Sequence, residues 1–220
     1  MQRQKRYLAY LLVLQALALI IGSVMAHPDS TIPTMITLPL MIVDLLLLQF
    51  LLYRVTAGYA RARWFKIFYA VLCITQFVLN SFVNVEVPLA ENYVLANIAY
   101  PLGAVVYATI FYFIIKDMFA NKHETTYSLL AASNAYLLIS IFFGCVYSEI
   151  ALHNPGMLGV EILTGQDLVQ RTFEISNYVV AGFDVQEGVG GMIKNLAVVE
   201  AYIANLYIIF VVGKLMTNEK

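Results

Sequence analysis

Charge is what this chain has least of. Asp, Glu, Lys and Arg make up 12% of its 220 residues, against about 25% in an ordinary soluble domain. That shortage excludes a soluble fold of average makeup; the net charge of −1 itself says little about partners, because distribution matters more than the sum, and no nucleic-acid partner is expected. Cysteine is nearly absent. Cys73 and Cys145 both lie in apolar runs, which predicts two small buried hydrophobes and no disulfide or redox role. The three histidines, His27, His123 and His153, fall in separate polar stretches without metal-ligand spacing. There is no Gly-rich phosphate loop, nucleophile elbow or pair of catalytic carboxylates, so neither an enzyme nor a metal or cofactor is expected. The fourth apolar run has no arginine or lysine at three-residue spacing, which excludes the gating charges of a voltage sensor.

What the chain has in abundance is hydrocarbon: 61% hydrophobic residues and a mean hydropathy of +0.77, the makeup of a polytopic membrane protein. Six apolar runs, 7–26, 34–55, 64–85, 93–115, 125–150 and 192–216, are each about 20 residues or longer, enough to cross a bilayer. Placing the N-terminus inside puts Arg3, Lys5, Arg6, Arg54, Arg61, Arg63, Lys66, Lys116, Lys122, Lys214 and Lys220 on the cytoplasmic side and leaves Arg171 and Lys194 outside. Both termini are therefore expected to be cytoplasmic. Arg3, Lys5 and Arg6 followed by an apolar run and Val24-Met25-Ala26 also resemble a signal peptide, but the run exceeds the usual signal core and is read as a retained span.

Between the last two runs lies a half-polar segment, 167–184, too short and too polar to span. Flanked by spans on both sides, it reads as re-entrant, which membranes tolerate only where backbone is buried in protein or lines a watery cavity. That predicts a pore. Asp29, Glu86, Glu91, Glu161, Asp167, Asp184 and Glu187 all fall on the outer side, and Asp184 and Glu187 directly follow the segment as acidic residues of an outer mouth that would concentrate cations.

The last hundred residues resemble the pore domain of bacterial tetrameric potassium-channel-like proteins. The likeness rests on Ala135-Tyr136-Leu137-Leu138 and Val146-Tyr147-Ser148 in the fifth run, Asn154-Pro155-Gly156 after it, and Lys194 to Ala201 leading to Leu206-Tyr207 in the sixth. It implies outer helix, pore helix, filter and inner helix in residues 121–220, with residues 1–120 forming a peripheral four-helix bundle. It also implies a homotetramer conducting monovalent cations in a plasma or bacterial inner membrane. The filter would fall on Val179, Val180, Ala181, Gly182, Phe183 and Asp184. There the chain departs from the family: Val179 replaces the threonine, and Ala181 and Phe183 occupy the two glycine positions. A potassium filter replaces the ion's hydration shell with backbone carbonyls and needs glycine where φ turns positive, so the selectivity is expected not to be that for potassium.

By the same resemblance Glu200 faces the back of the pore helix and supports the filter through Asn177, Tyr178 or Ser176, Asn205 lines the cavity, and Ala204 stands at the usual hinge glycine. Ile208 and Val212, at helical spacing from Asn205, form a candidate apolar gate. Asp44, in the middle of the second run, needs a partner such as Gln15, Gln76, Asn80 or Asn97, or else is a proton- or ion-sensitive group. After the last run only Thr217 to Lys220 remain, so the gate is expected in the membrane or the filter. A non-conducting channel-like regulatory or sensor protein is one alternative. A small transporter is another, for which internal repeats would be expected and none are visible.

Overall fold

The computed structural model describes residues 2–25, 34–59, 62–83, 88–120, 125–162, 164–185 and 187–218; the side chains of 3, 16–25, 34–45, 59, 120, 125, 155, 215, 217 and 218 also fall outside the description. The described chain is all-helical: α1 Gln2–Met25, α2 Thr34–Tyr59, α3 Arg63–Val83, α4 Leu89–Ala120, α5 Thr125–His153, a 3-10 turn Pro155–Leu158, α6 Gly165–Val180 and α7 Gly191–Asn218. The six apolar runs map onto α1 to α5 and α7; α4 and α7 run past both predicted ends, while α1 and α3 stop one or two residues short of their C-terminal ones. Four of these, α3, α4, α5 and α7, are long and apolar enough among the described residues to cross a membrane. In α2 the described apolar stretch is the shorter Leu46–Gly58. Long apolar helices of this kind are consistent with an integral membrane protein.

The centre of the fold is α5, which packs against α1, α4, α6 and α7. The most extensive helix pair is α4 with α5, across the boundary expected near residue 120. Small residues let these helices approach: Ala131, Ala132 and Ala135 are buried on α5, and Ala96 and Ala99 on α4. Tyr69 of α3 donates to the Val106 carbonyl of α4 at 3.0 Å, and Asn134 of α5 donates to the Leu8 carbonyl of α1 at 2.8 Å. Helix α4 continues through Pro101. Both cysteines are free and buried.

The direction of α6 follows from its contacts with α5. Thr172 meets Ser148, Phe173 lies over Gly144, Ser176 and Asn177 meet Ser140, and the Val180 carbonyl accepts from Tyr136. As numbering rises on α6 it falls on α5, so the two are antiparallel. Helix α7 is antiparallel to α5 as well, pairing Glu200 with Tyr147 and Tyr207 with the Ala132 carbonyl. Hence α6 and α7 point the same way, and the chain between them must climb back along α6. It does so by Gly190, whose N–H donates to the Met157 carbonyl at 2.7 Å beside the C-terminal end of α5. Eight residues at about 3.3 Å each reach about 26 Å, matching the roughly 24 Å rise of a 16-residue helix.

Candidate functional site

Helix α6 starts at a capping box. The Thr164 hydroxyl accepts from the Asp167 N–H at 3.1 Å, and the Asp167 carboxylate accepts from the Thr164 N–H at 3.0 Å. Asp167, expected among the outer acidic residues, is thus engaged in starting a helix. A bridge between Pro88 and Thr164 sets this start beside the α3–α4 connection. One face of α6, Leu168, Thr172, Ile175, Ser176 and Val179, is buried at helical spacing. Elsewhere Arg171 pairs with Glu174 at 2.9 Å.

The buried face is tied by hydroxyls. Thr172 and Ser148 share a hydrogen bond of 2.7 Å. The Ser140 hydroxyl donates to the Asn177 side-chain carbonyl. The Ser176 hydroxyl lies between the Ser140 carbonyl, at 2.9 Å, and Glu200 Oε1. The other oxygen of Glu200 accepts from the Tyr147 hydroxyl at 2.5 Å. Glu200 is fully buried, and among the described residues no cation pairs with it. One carboxyl therefore joins all three helices, with Tyr147 from α5, Ser176 from α6 and itself from α7. A carboxyl group this deep is stable only with such partners.

Of the expected supports, Ser176 reaches Glu200, Asn177 turns to Ser140, and Tyr178 is exposed with its ring edge-on to Phe183 at 6.0 Å. Tyr147 and Ser140 were not among the expected supports. The signal for Ser140 was a four-residue period on α5, where Tyr136, Ser140, Gly144 and Ser148 place hydroxyls and one glycine along a single face; Tyr147, outside that period, had no such signal. Gly144 leaves room for the Phe173 ring, since a Cβ would sit a tight 3.0 Å from it.

The stretch 179–184 combines helix with turn. Val179 and Val180 form the last turn of α6 and are buried. Ala181 closes the helix, and Gly182 adopts φ +87°. The Gly182 N–H donates to the Val179 carbonyl at 3.0 Å and the Phe183 N–H to the Tyr178 carbonyl at 2.9 Å. This is a Schellman cap, and the Tyr178–Phe183 contact is its usual hydrophobic companion. The carbonyls of Asn177, Tyr178, Val179 and Val180 all accept within the chain, from Ala181, Phe183, Gly182 and Tyr136. The cap residues Ala181, Gly182 and Phe183, and Asp184 and Glu187 after them, are exposed.

Helix α7 is buried along Ile193, Ala197, Glu200, Ala204, Tyr207 and Val211. Asn205, Ile208 and Val212 form the adjoining stripe, one residue further round the helix, and all three are exposed. Within its apolar window 28% of α7 is buried, against 56% of α5, so most of α7 has no protein cover in the single chain. The side chain of Asp44 lies outside the described residues. Two of its expected partners, Gln15 and Gln76, are buried. Among the described residues no group of His, Cys, Asp and Glu could hold a metal ion. Comparisons with models of known protein families, with curated proteins and with solved structures found no match.

Proposed function

We propose that this chain is the subunit of a pore-loop cation channel with six spans, both termini cytoplasmic, that assembles as a homotetramer in a plasma or bacterial inner membrane. The observation that carries the reading is the reversal after α6: a helix runs in along α5, ends at a cap, and the chain returns by a short exposed segment beside an α7 that is largely uncovered. In a membrane such a segment is tolerated where it lines water, and four copies around an axis supply that setting. The uncovered surface of α7 then meets neighbouring subunits and lipid, with Asn205, Ile208 and Val212 toward the cavity.

The capped carbonyls sharpen the selectivity argument. Those of Asn177 to Val180 are occupied within the chain, so the ion meets Ala181 to Asp184 and the carboxylate of Glu187. Selection falls to a wider, acidic return segment and not to a tight stack of carbonyl rings. The same capping favours a second reading, a channel-like subunit that does not conduct.

Single cysteines introduced for Val180, Phe183 and Asp184, with Cys73 and Cys145 changed to Ala, test the geometry in sealed vesicles. A membrane-impermeant thiol reagent should label positions 183 and 184 from the side opposite the N-terminus and spare 180, and the purified particle should contain four chains. Labelling of 183 and 184 from the N-terminal side, or a monomeric particle, would contradict the reading.

A further inference from the structure

A second feature lies in the α1–α2 pair and does not depend on the channel reading. Between the two helices runs an open groove of about 270 Å³, walled by Tyr10, Val13, Leu14, Leu47, Phe50 and Leu51 without a polar lining atom. At its end nearer the N-terminus stands Arg54, one turn from Phe50. Its guanidinium carbon lies 5.1 Å from the Tyr7 ring centre and 5.4 Å from that of Phe50, and Nη2 donates to the Tyr7 hydroxyl at 2.9 Å. Arg54 is exposed and, among the described residues, no carboxylate pairs with it. Arg6, also exposed, precedes Tyr10 by one turn and so sits on the same flank of α1.

The two aromatic rings hold the guanidinium by cation–π attraction, and Tyr7 uses one of its five N–H donors. The remaining fork suits phosphate oxygens. A wholly apolar trough with a fixed cation at one end is complementary to a molecule with a hydrocarbon chain and an anionic head. We propose that the α1–α2 groove binds one anionic phospholipid from the leaflet on the N-terminal side, with an acyl chain in the trough and the phosphate on Arg54, Arg6 adding positive charge beside it.

Native mass spectrometry of the full-length protein tests this, after delipidation and titration with phosphatidylglycerol or phosphatidylcholine of identical chains. The wild type should retain phosphatidylglycerol preferentially, one molecule per chain. Arg54→Gln should lower its occupancy about five-fold, the effect of one basic residue near an anionic head, while Arg54→Lys should keep more than Arg54→Gln. Val13→Trp, at a position exposed in the groove, should fill the trough and lower occupancy for both lipids. Equal retention by wild type, Arg54→Gln and Val13→Trp would overturn the proposal, as would no preference between the two lipids. Displacement by chain-free glycerol phosphate would instead mark a free-phosphate site, and pairing of two chains through the groove without lipid would mark a protein contact. Helical circular dichroism and a monodisperse profile verify folding. If Arg54→Gln fails them, the wild-type lipid preference and Val13→Trp decide.

Discussion

Two sets of buried polar groups in this molecule are treated in opposite ways. Where α5, α6 and α7 meet, Ser140, Ser148, Thr172, Ser176 and Glu200 are buried and each has a partner in a neighbouring helix. In the α1–α3 part, Gln15, Gln49 and Gln76 are buried just as deeply, yet both polar atoms of Gln15 and Gln49 and the Oε1 of Gln76 have no partner among the described residues. The α5–α7 junction fixes a geometry with its polar groups, whereas these glutamine atoms are buried without fixing anything the described residues show; elsewhere the two kinds mix, since Tyr69 ties α3 to α4 and the Ser128 hydroxyl of α5 has no partner among the described residues. Specific hydrogen bonds hold a helix at a set depth and rotation, as α6 requires; apolar packing alone tolerates sliding.

The sharpest way to break this contrast is at Glu200. Glu200→Ala leaves the Tyr147 and Ser176 hydroxyls facing a cavity and should destabilise the protein by roughly 2–4 kcal/mol, since hydrogen bonds to a carboxyl group are among the stronger ones. Glu200→Gln keeps the shape and one acceptor and should cost about 1 kcal/mol. Denaturant titration in mixed micelles, followed by helical signal, measures both. Next comes Gly144→Leu, which drives a side chain into the Phe173 ring and should cost roughly 1–3 kcal/mol; Phe173→Ala in the same chain should recover part of it. Gly182→Val tests the cap: a β-branched residue at φ +87° should cost about 1–2 kcal/mol and loosen α6 near Val180, read as faster amide exchange there. The smallest effect is expected among the buried glutamines. Gln49→Leu removes amide atoms that lack described partners and should be neutral or stabilising by up to about 1 kcal/mol, measured as thermal midpoint in the same detergent. A loss as large as that of Glu200→Ala would show that Gln49 is as specifically tied as Glu200, erasing the contrast.

The elements were largely legible in the sequence because length and hydropathy decide them. Each of the six apolar runs became a helix, and the half-polar segment became α6, marked by its Thr164–Asp167 capping box and an apolar stripe at helical spacing. Hidden were the relations between helices. Glu200 stood out as an ionisable residue in an apolar run, but its partner Tyr147 lies 53 residues away, and only the α5 register brings the two together. The conformation of 179–184 was also illegible. Val179 and Val180 favour strand as readily as helix, and what decides is the glycine at 182 in the left-handed region together with the Tyr178–Phe183 contact that seals the cap. The resemblance expects glycine at 181 and 183; the chain places it at 182, where helix termination uses it.

The most direct test of the central claim, that α5, α6 and α7 form one quarter of a cation pore, is single-channel recording of the purified protein in planar bilayers under potassium, sodium and chloride gradients, beside Asp184→Asn. Unitary currents should reverse near the cation potentials without strong preference for potassium over sodium, and Asp184→Asn should lower cation conductance. Currents strictly selective for potassium and abolished by changing Gly182 would contradict the selectivity argument. Electrical silence from a particle shown to contain four chains would contradict conduction itself and favour the non-conducting reading.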